Sequence, residues 1–406
     1  MKKTLILILF FVAVLIAFFT DCSHSGKETA SQKNDTIPLS KHWESAIPNQ
    51  RVPQGLVSLR AKDCGACHNE IYKEWKQSIH AVAFQDLQFQ AEWKKDNVSV
   101  CLNCHTPLQN QQEFIVTGFL NGNYETPVQI PNPYFDKLLQ QESITCASCH
   151  VRDGNVIGTI GTTNAPHKTV KDADFLSEKL CISCHNVVDQ LNPVLVCTFE
   201  TGDEWMNNWA AEEGKNCITC HMAEKERAIV HQGQIRKSHY HGFPGSGIPK
   251  FYNTKVEGLN GLEIFTDMPE NVYASGDRLF YTLKVKNSFA GHKVPTGDPE
   301  RFFLIIFTIS DQDGNVLKKE THRIGEQWQW YPEAKQLSEN NLKPLEERVY
   351  DFTYDIPDVE GLNLMVEIEK HRMTKENAMY HGILEDYPLS ISVFSRKYEI
   401  KIKIKQ

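Results

Sequence analysis

The chain has no run of basic residues interleaved with aromatics: 43 Lys and Arg stand against 51 Asp and Glu, for a net charge of -8. That balance excludes a nucleic-acid-binding surface and favours attraction of a basic protein partner. Solenoid periodicity is missing as well. Cysteine is scarce outside one pattern: of twelve, only Cys22 and Cys197 fall elsewhere, which leaves little for a disulfide framework. At 406 residues, 41% of them hydrophobic, two domains are expected.

The pattern is Cys-x-x-Cys-His. It occurs as Cys64/Cys67/His68, Cys101/Cys104/His105, Cys146/Cys149/His150, Cys181/Cys184/His185 and Cys217/Cys220/His221. Two thiols three apart, followed at once by an imidazole, form a covalent haem c attachment signal. The thiols add across the porphyrin vinyl groups and the histidine binds iron from below. Zinc sites also use Cys-x-x-Cys, but they combine two such pairs at short range. Here five pairs leave one over, and consecutive motifs start 35 to 45 residues apart.

Met1-Lys2-Lys3 and the apolar run Leu5 to Phe19 read as an export signal or N-terminal anchor over 1–21. Cys22 follows as the acylated cysteine of a lipoprotein would, although Phe19-Thr20-Asp21 lacks the small residues expected there. Residues 22–55 are rich in Ser, Lys, Asn, Gln and Pro and predict a flexible linker. Residues 56–247 predict a pentahaem domain, mostly helical and irregular, in which porphyrins supply much of the interior. Ile71, Trp75 and Ile79 recur every fourth position and predict a helix over 69–82. On such a helix His80 lies roughly 18 Å from His68 along the axis, so it is either the distal ligand of a different haem or a helix-surface histidine.

Five histidine sites are candidates for the distal faces: His80, His167, His231, the His239/His241 pair and His292. His239 and His241 flank Tyr240, and one of the two suffices. Met222 and Cys197 read as packing residues.

From 258 to 406 the period changes to two. Leu279, Tyr281, Leu283 and Val285 alternate with polar partners, as do Tyr350 to Ile356 and Leu362 to Ile368. Phe302 to Ile309 predicts a central strand and Asp313-Gly314 a hairpin turn. The lysine-decorated final strand predicts a sheet edge. The fold class is therefore multidomain: a haem-packed domain, then an all-β, immunoglobulin-like sandwich. Trp328 and Trp330 read as packing against a loop, with a binding platform as the alternative.

Beyond the motifs, Cys64-x-x-Cys67-His68 with Ile71-Tyr-x-x-Trp75-x-x-Ser78-x-His80 resembles the opening signature of the multihaem cytochromes related to cytochrome c-554 and hydroxylamine oxidoreductase. Cys104-His105-Thr-Pro107, Asn132-Pro-x-x-Asp136 and Gly154-x-Val-x-Gly158 are similar to its later sites, and the likeness spans most of residues 60–245. It implies that His80 is a distal ligand to another haem. His241-x-Phe243-Pro-Gly245 and Gly291-His292-x-x-Pro-Thr-Gly297 resemble a second group of bacterial multihaem cytochromes, which favours His241 over His239 and supports His292. The departures are also plain. Hydroxylamine oxidoreductases carry eight haems against five motifs here. Pentahaem nitrite reductases mark the catalytic haem with Cys-x-x-Cys-Lys, which this chain lacks. Before the fifth motif, Glu204-Trp205 is not followed by Ser-x-His.

The expected function is electron transfer through five covalent haems c between redox protein partners, outside the cytoplasmic membrane. One alternative leaves a single iron open for a small nitrogen or sulfur compound: five distal histidines argue for a carrier and four for a catalyst. The other has the His292 loop reaching a haem in the next subunit of a homo-oligomer or polymer.

Overall fold

The computed structural model describes residues 35–161, 165–267 and 272–403. The export signal and Cys22 lie outside them. Residues 37–406 form one compact unit, and no helix among the described residues is long and apolar enough to cross a membrane.

The motif-bearing half is built from short helices and two-stranded hairpins. The motifs sit on or against helices of four to eight residues: Ala61–Gly65, Leu102–His105, Cys146–His150, Glu178–His185 and Cys217–His221. Spacing i, i+3, i+4 puts both thiols and the imidazole on one side of a single turn. Asn216 caps the last of these helices, its side chain accepting from the Ile218 and Thr219 N–H groups at 3.1 Å. Hairpins join the helices, at Phe114–Leu120 with Pro127–Pro131, Val187–Asn192 with Leu195–Phe199, and Glu224–Ala228 with Ile235–His239. This strand content was not anticipated.

Two further expectations are corrected here. The helix after the first motif, α1, is Asn69–Lys76, not 69–82; a 3₁₀ turn at His80–Val82 follows. Ser78 Oγ donates to the Trp75 carbonyl at 2.6 Å, the local side-chain bond that competes with helix propagation. In the described part of the span 22–55, expected to be a flexible linker, Thr36–Pro38 is a strand paired with Phe114–Leu120. Glu44 and Gln50 are buried, Trp43 packs against Tyr124 at 5.7 Å, and the Ile47 N–H donates to the Pro107 carbonyl at 2.8 Å. Composition hid this because two of the buried anchors, Glu44 and Gln50, are polar.

The C-terminal half is two sheets face to face. Strands β1 (Leu262–Thr266), β3 (Arg278–Asn287) and β6 (Glu347–Asp355) form one, in the order β1-β3-β6. The other orders β2 (Val272–Ala274), β8 (Ser390–Lys403), β7 (Gly361–His371), β4 (Phe302–Asp311) and β5 (Val316–Ile324). The alternating residues meet between the sheets. Tyr281 and Phe352 from one face Phe307 from the other at 6.0 and 5.2 Å, and all three are buried. Each such ring contributes roughly 1.5–3 kcal/mol on burial. The final strand is not wholly an edge: β2 pairs in parallel with its end, Val272 opposite Lys401.

Helix α2 (Leu87–Asp96) joins the halves. Leu87 and Ala91 pack on Met373, Ala378, Ile383 and Tyr387. Just before α2, buried Asp86 pairs with Lys250 and accepts from Tyr387 Oη at 2.5 Å. Arg372 completes the join with bonds to the Ile248 and Pro249 carbonyls at 2.8 and 3.0 Å.

Candidate haem sites

Four motif histidines each face one histidine from a distant part of the chain. Ring centroids lie 6.3 Å apart for His68 and His167, 6.4 Å for His185 and His80, 6.2 Å for His150 and His241, and 6.3 Å for His221 and His292. A metal–imidazole bond of about 2 Å on each side, plus roughly 1.1 Å from nitrogen to ring centre, gives about 6.2 Å across one metal. The spacing is that of two axial imidazoles on a shared iron. Among the described residues no group of three or more His, Cys, Asp or Glu is arranged to hold a bare metal ion. Each of the four pairs would supply two imidazole nitrogens to an iron whose other ligands came from a porphyrin.

The second nitrogen of most rings is committed to the backbone. Nδ1 of His68, His105, His150 and His221 sits 2.9, 2.8, 2.9 and 2.7 Å from the carbonyls of Ile229, Ala83, Ile157 and Pro244. On the distal side, His241 and His292 do the same to His239 and Lys293, both at 2.8 Å. Nδ1 carries the proton, so Nε2 is the nitrogen left for metal. Burial pushes the pKa of His80 down to about 3 and of His185 and His241 to about 4. These rings are neutral, the form that binds iron.

His105 differs. Among the described residues it faces no histidine; the Phe89 ring of α2 stacks along its side at 3.8 Å and 12°. His231 is exposed at the tip of the 224–239 hairpin. Nδ1 of His239 lies 2.8 Å from the Met222 carbonyl. Neither is brought to a motif histidine. A strand running through both would set His239 and His241 on one face, but the strand ends at His239, which frees His241 from that face. His292 lies against His221 of its own chain.

Thiols of different motifs adjoin: Cys64 with Cys146, Cys104 with Cys184, and Cys181 with Cys217. None is a disulfide. Cys67 and Cys220 are exposed, whereas Cys64, Cys101, Cys104, Cys146, Cys149, Cys181, Cys184 and Cys217 are partly buried. Cys220 lies beside exposed Thr219 on a single-turn helix, and Cys67 beside exposed Ala66 in the turn that follows Ala61–Gly65.

Cys197 packs beside Cys101, and burial pushes its thiol up to about 12, which keeps it inert. Trp328 and Trp330 stack on each other at 5.3 Å and 9°; their hairpin is tied to the motif half by the Ala334 N–H donating to the Pro193 carbonyl at 2.8 Å.

Glycine admits two of the distal loops. A Cβ on Gly55, at φ +89°, would lie 2.0 Å from the Pro166 carbonyl oxygen, next to His167. One on Gly291 would lie 2.3 Å from Ala210 Cβ, next to His292.

Residues 63–129 match the family described as cytochrome c554 and c-prime. The fold matches the penta-heme cytochrome c552 from Thermochromatium tepidum with a TM-score of 0.59 and 16% identity, over 86% of this chain and 100% of that one. Both findings support a multihaem c-type cytochrome. Such a protein holds haem covalently and transfers electrons. Matches to a CARDB domain from Pyrococcus furiosus (TM-score 0.18, 18% identity, 35% of this chain and 87% of that one) and to a β-glucosidase from Listeria innocua (0.19, 11%, 35% and 16%) carry no argument. No curated protein matches this chain.

Sequence reasoning missed two aromatic neighbours of these sites. Phe243 lies 4.5 Å from His80 and 5.9 Å from His241, and its place in His241-x-Phe243-Pro-Gly245 was the available signal. Phe89 had none.

Proposed function

We propose that the cytochrome binds five haems c and passes electrons among them on behalf of redox protein partners. Two imidazoles close the iron at four sites: His68/His167, His185/His80, His150/His241 and His221/His292. His105 alone holds the fifth. The observation that carries this reading is the 6.2–6.4 Å spacing repeated in four separate pairs. Haem iron supplies the one-electron chemistry. The chain sets ligand identity and burial, and paired imidazoles favour lower potentials than a histidine/methionine pair. Residues 56–247 form the haem domain and 258–406 an immunoglobulin-like sandwich. The chain is exported by its 1–21 segment, with Cys22 as a lipid attachment site. Intact-mass measurement tests the first part, since each covalent haem adds a fixed increment. Ferric spin counting tests the second: four low-spin irons and one high-spin are expected, and a predominantly high-spin spectrum would refute it.

A second reading has one observation in its favour, the lack of a histidine facing His105 among the described residues. An iron open there accepts a small ligand and acts as Lewis acid and electron relay, so the count of four distal histidines points to oxidoreductase activity on a small nitrogen or sulfur compound. Turnover of nitrite or hydroxylamine by the loaded protein, abolished by a tight-binding iron ligand such as cyanide, decides for it; inertness toward both decides for a carrier.

A further inference from the structure

The dipeptide Glu-Trp occurs at Glu74-Trp75 on α1 and again at Glu204-Trp205 on α3 (Thr201–Met206). The surrounding sequences differ, yet the bonds made are the same. Trp75 Nε1–H donates to the Ile144 carbonyl at 2.8 Å, two residues before Cys146. Trp205 Nε1–H donates to the Lys215 carbonyl at 2.8 Å, two residues before Cys217. Each tryptophan therefore grips the chain as it enters an attachment motif.

Each glutamate grips the segment that carries the histidine facing that same motif. Glu74 Oε2 accepts from the His241 backbone N–H at 3.0 Å, and His241 faces His150. Glu204 Oε2 accepts from the Lys293 N–H at 3.1 Å and from Thr296 Oγ at 2.7 Å, and His292 faces His221. Successive residues on a helix diverge by about 100°, so one dipeptide reaches two segments at once.

Both grips extend to the imidazole itself. Arg227, paired with Glu74 at 2.5 Å, donates to the His239 carbonyl at 2.6 Å; that oxygen also accepts from His241 Nδ1. In the second case Lys293 supplies both groups, its N–H to Glu204 and its carbonyl to His292 Nδ1. The two glutamates are only 14% and 9% exposed, where charge-assisted bonds to N–H groups are strong. A third Glu-Trp, Glu92-Trp93, is used otherwise: Trp93 stacks on Phe89 and Glu92 accepts from Gln88.

We propose that Glu74-Trp75 and Glu204-Trp205 are positioning residues, each aligning the two axial imidazoles of one iron: His150 with His241, and His221 with His292. This rests on the two-imidazole reading above. A support of this kind, once removed, costs roughly 10–100-fold in ligand affinity.

The test uses the full-length, haem-loaded protein and reads carbon monoxide uptake by the reduced form together with ferric spin count. E74A and E204A are each expected to open one additional iron, and the double variant two, with added imidazole restoring the low-spin count. E70A is the control, since Glu70 lies on the same helix and pairs only with exposed Lys73. W75F and W205F, which lose the indole N–H but keep a large ring, carry the test should an alanine variant fail to mature; each is expected to raise carbon monoxide uptake. Uptake and spin count equal to E70A in haem-complete variants overturn the proposal. A parent protein without low-spin iron overturns instead the reading on which it rests.

Discussion

The two halves of this chain solve the problem of an interior in opposite ways. The sandwich buries one continuous apolar cluster drawn from both sheets, from Leu262 to Ile402. The motif half has small separate clusters, such as Leu59, Leu108, Leu139, Ala147 and Val151, or Ala61, Trp75 and Ala81. Of eighteen buried polar side chains among the described residues, fifteen fall between Glu44 and Asn192. They serve the backbone. Gln111 Nε2 donates to the Leu139 and Ser143 carbonyls at 3.0 and 2.6 Å, and Asn132 Nδ2 to those of Gln109 and Gln112 at 2.7 and 3.0 Å. A chain folded round large prosthetic groups has few ladder bonds to offer its carbonyls, and side-chain amides take their place. The lesson is that apolar content measures a core only where the protein itself is the core.

Denying the protein its haem should give the largest effect. Expressed without the attachment machinery, the chain is expected to lose protease resistance throughout 56–247 while fragments near 258–406 survive. Equal resistance of both halves would break the contrast. Next comes Phe307→Ala, which empties a fully buried site between Tyr281 and Phe352. A loss of about 3–5 kcal/mol is expected, read as a lower denaturant midpoint for the sandwich with the haem spectrum unchanged.

A third prediction concerns the join. Gln88 Nε2 donates to Glu92, Asp298 and Glu300 at 3.2, 3.1 and 3.2 Å, so carboxylates from both halves converge. Burial, then the charge of Asp298, pushes Glu92 up to about 8, and the same causes push Glu300 to about 9. The folded chain therefore keeps a proton that the unfolded chain releases above pH 4.5. Stability must fall as pH rises from there toward 8, because the native state binds more protons. E92Q is expected to flatten that decline, measured as the difference in denaturant midpoint between pH 5 and pH 8; an unchanged slope would count against a protonated Glu92. The smallest effect is reserved for Arg278→Ala. Its pair with Asp355 at 2.7 Å is exposed, and no measurable change is expected in either half.

The contrast also governs what could be read beforehand. Period two was legible because the sandwich core consists of the residues that alternate: Leu279, Tyr281, Leu283 and Val285 are all buried as expected. The attachment motifs were legible because covalent chemistry fixes their spacing, but that spacing carries no word on cover, and Cys67 and Cys220 look the same in sequence as their sheltered counterparts. His80 could be kept from His68 by helix rise alone, although α1 ends at Lys76, short of His80. The partners of the motif histidines could not be derived, because each comes from a segment brought near by tertiary folding, as His167 is by the turn at Gly55. Nothing in composition separated His239 from His241. The packed segment Lys41–Gln50 looked like linker because its anchors, Glu44 and Gln50, are polar.

The fourth motif has an uncommon station. Cys181 and Cys184 share one helical turn, yet one adjoins Cys217 and the other Cys104. Thioethers mark the rim of a porphyrin, so a group anchored here is flanked on two sides at once. Were haems held at all three motifs, an electron on the fourth would have two exits, one toward the haem of His105 and one toward the haem of His221.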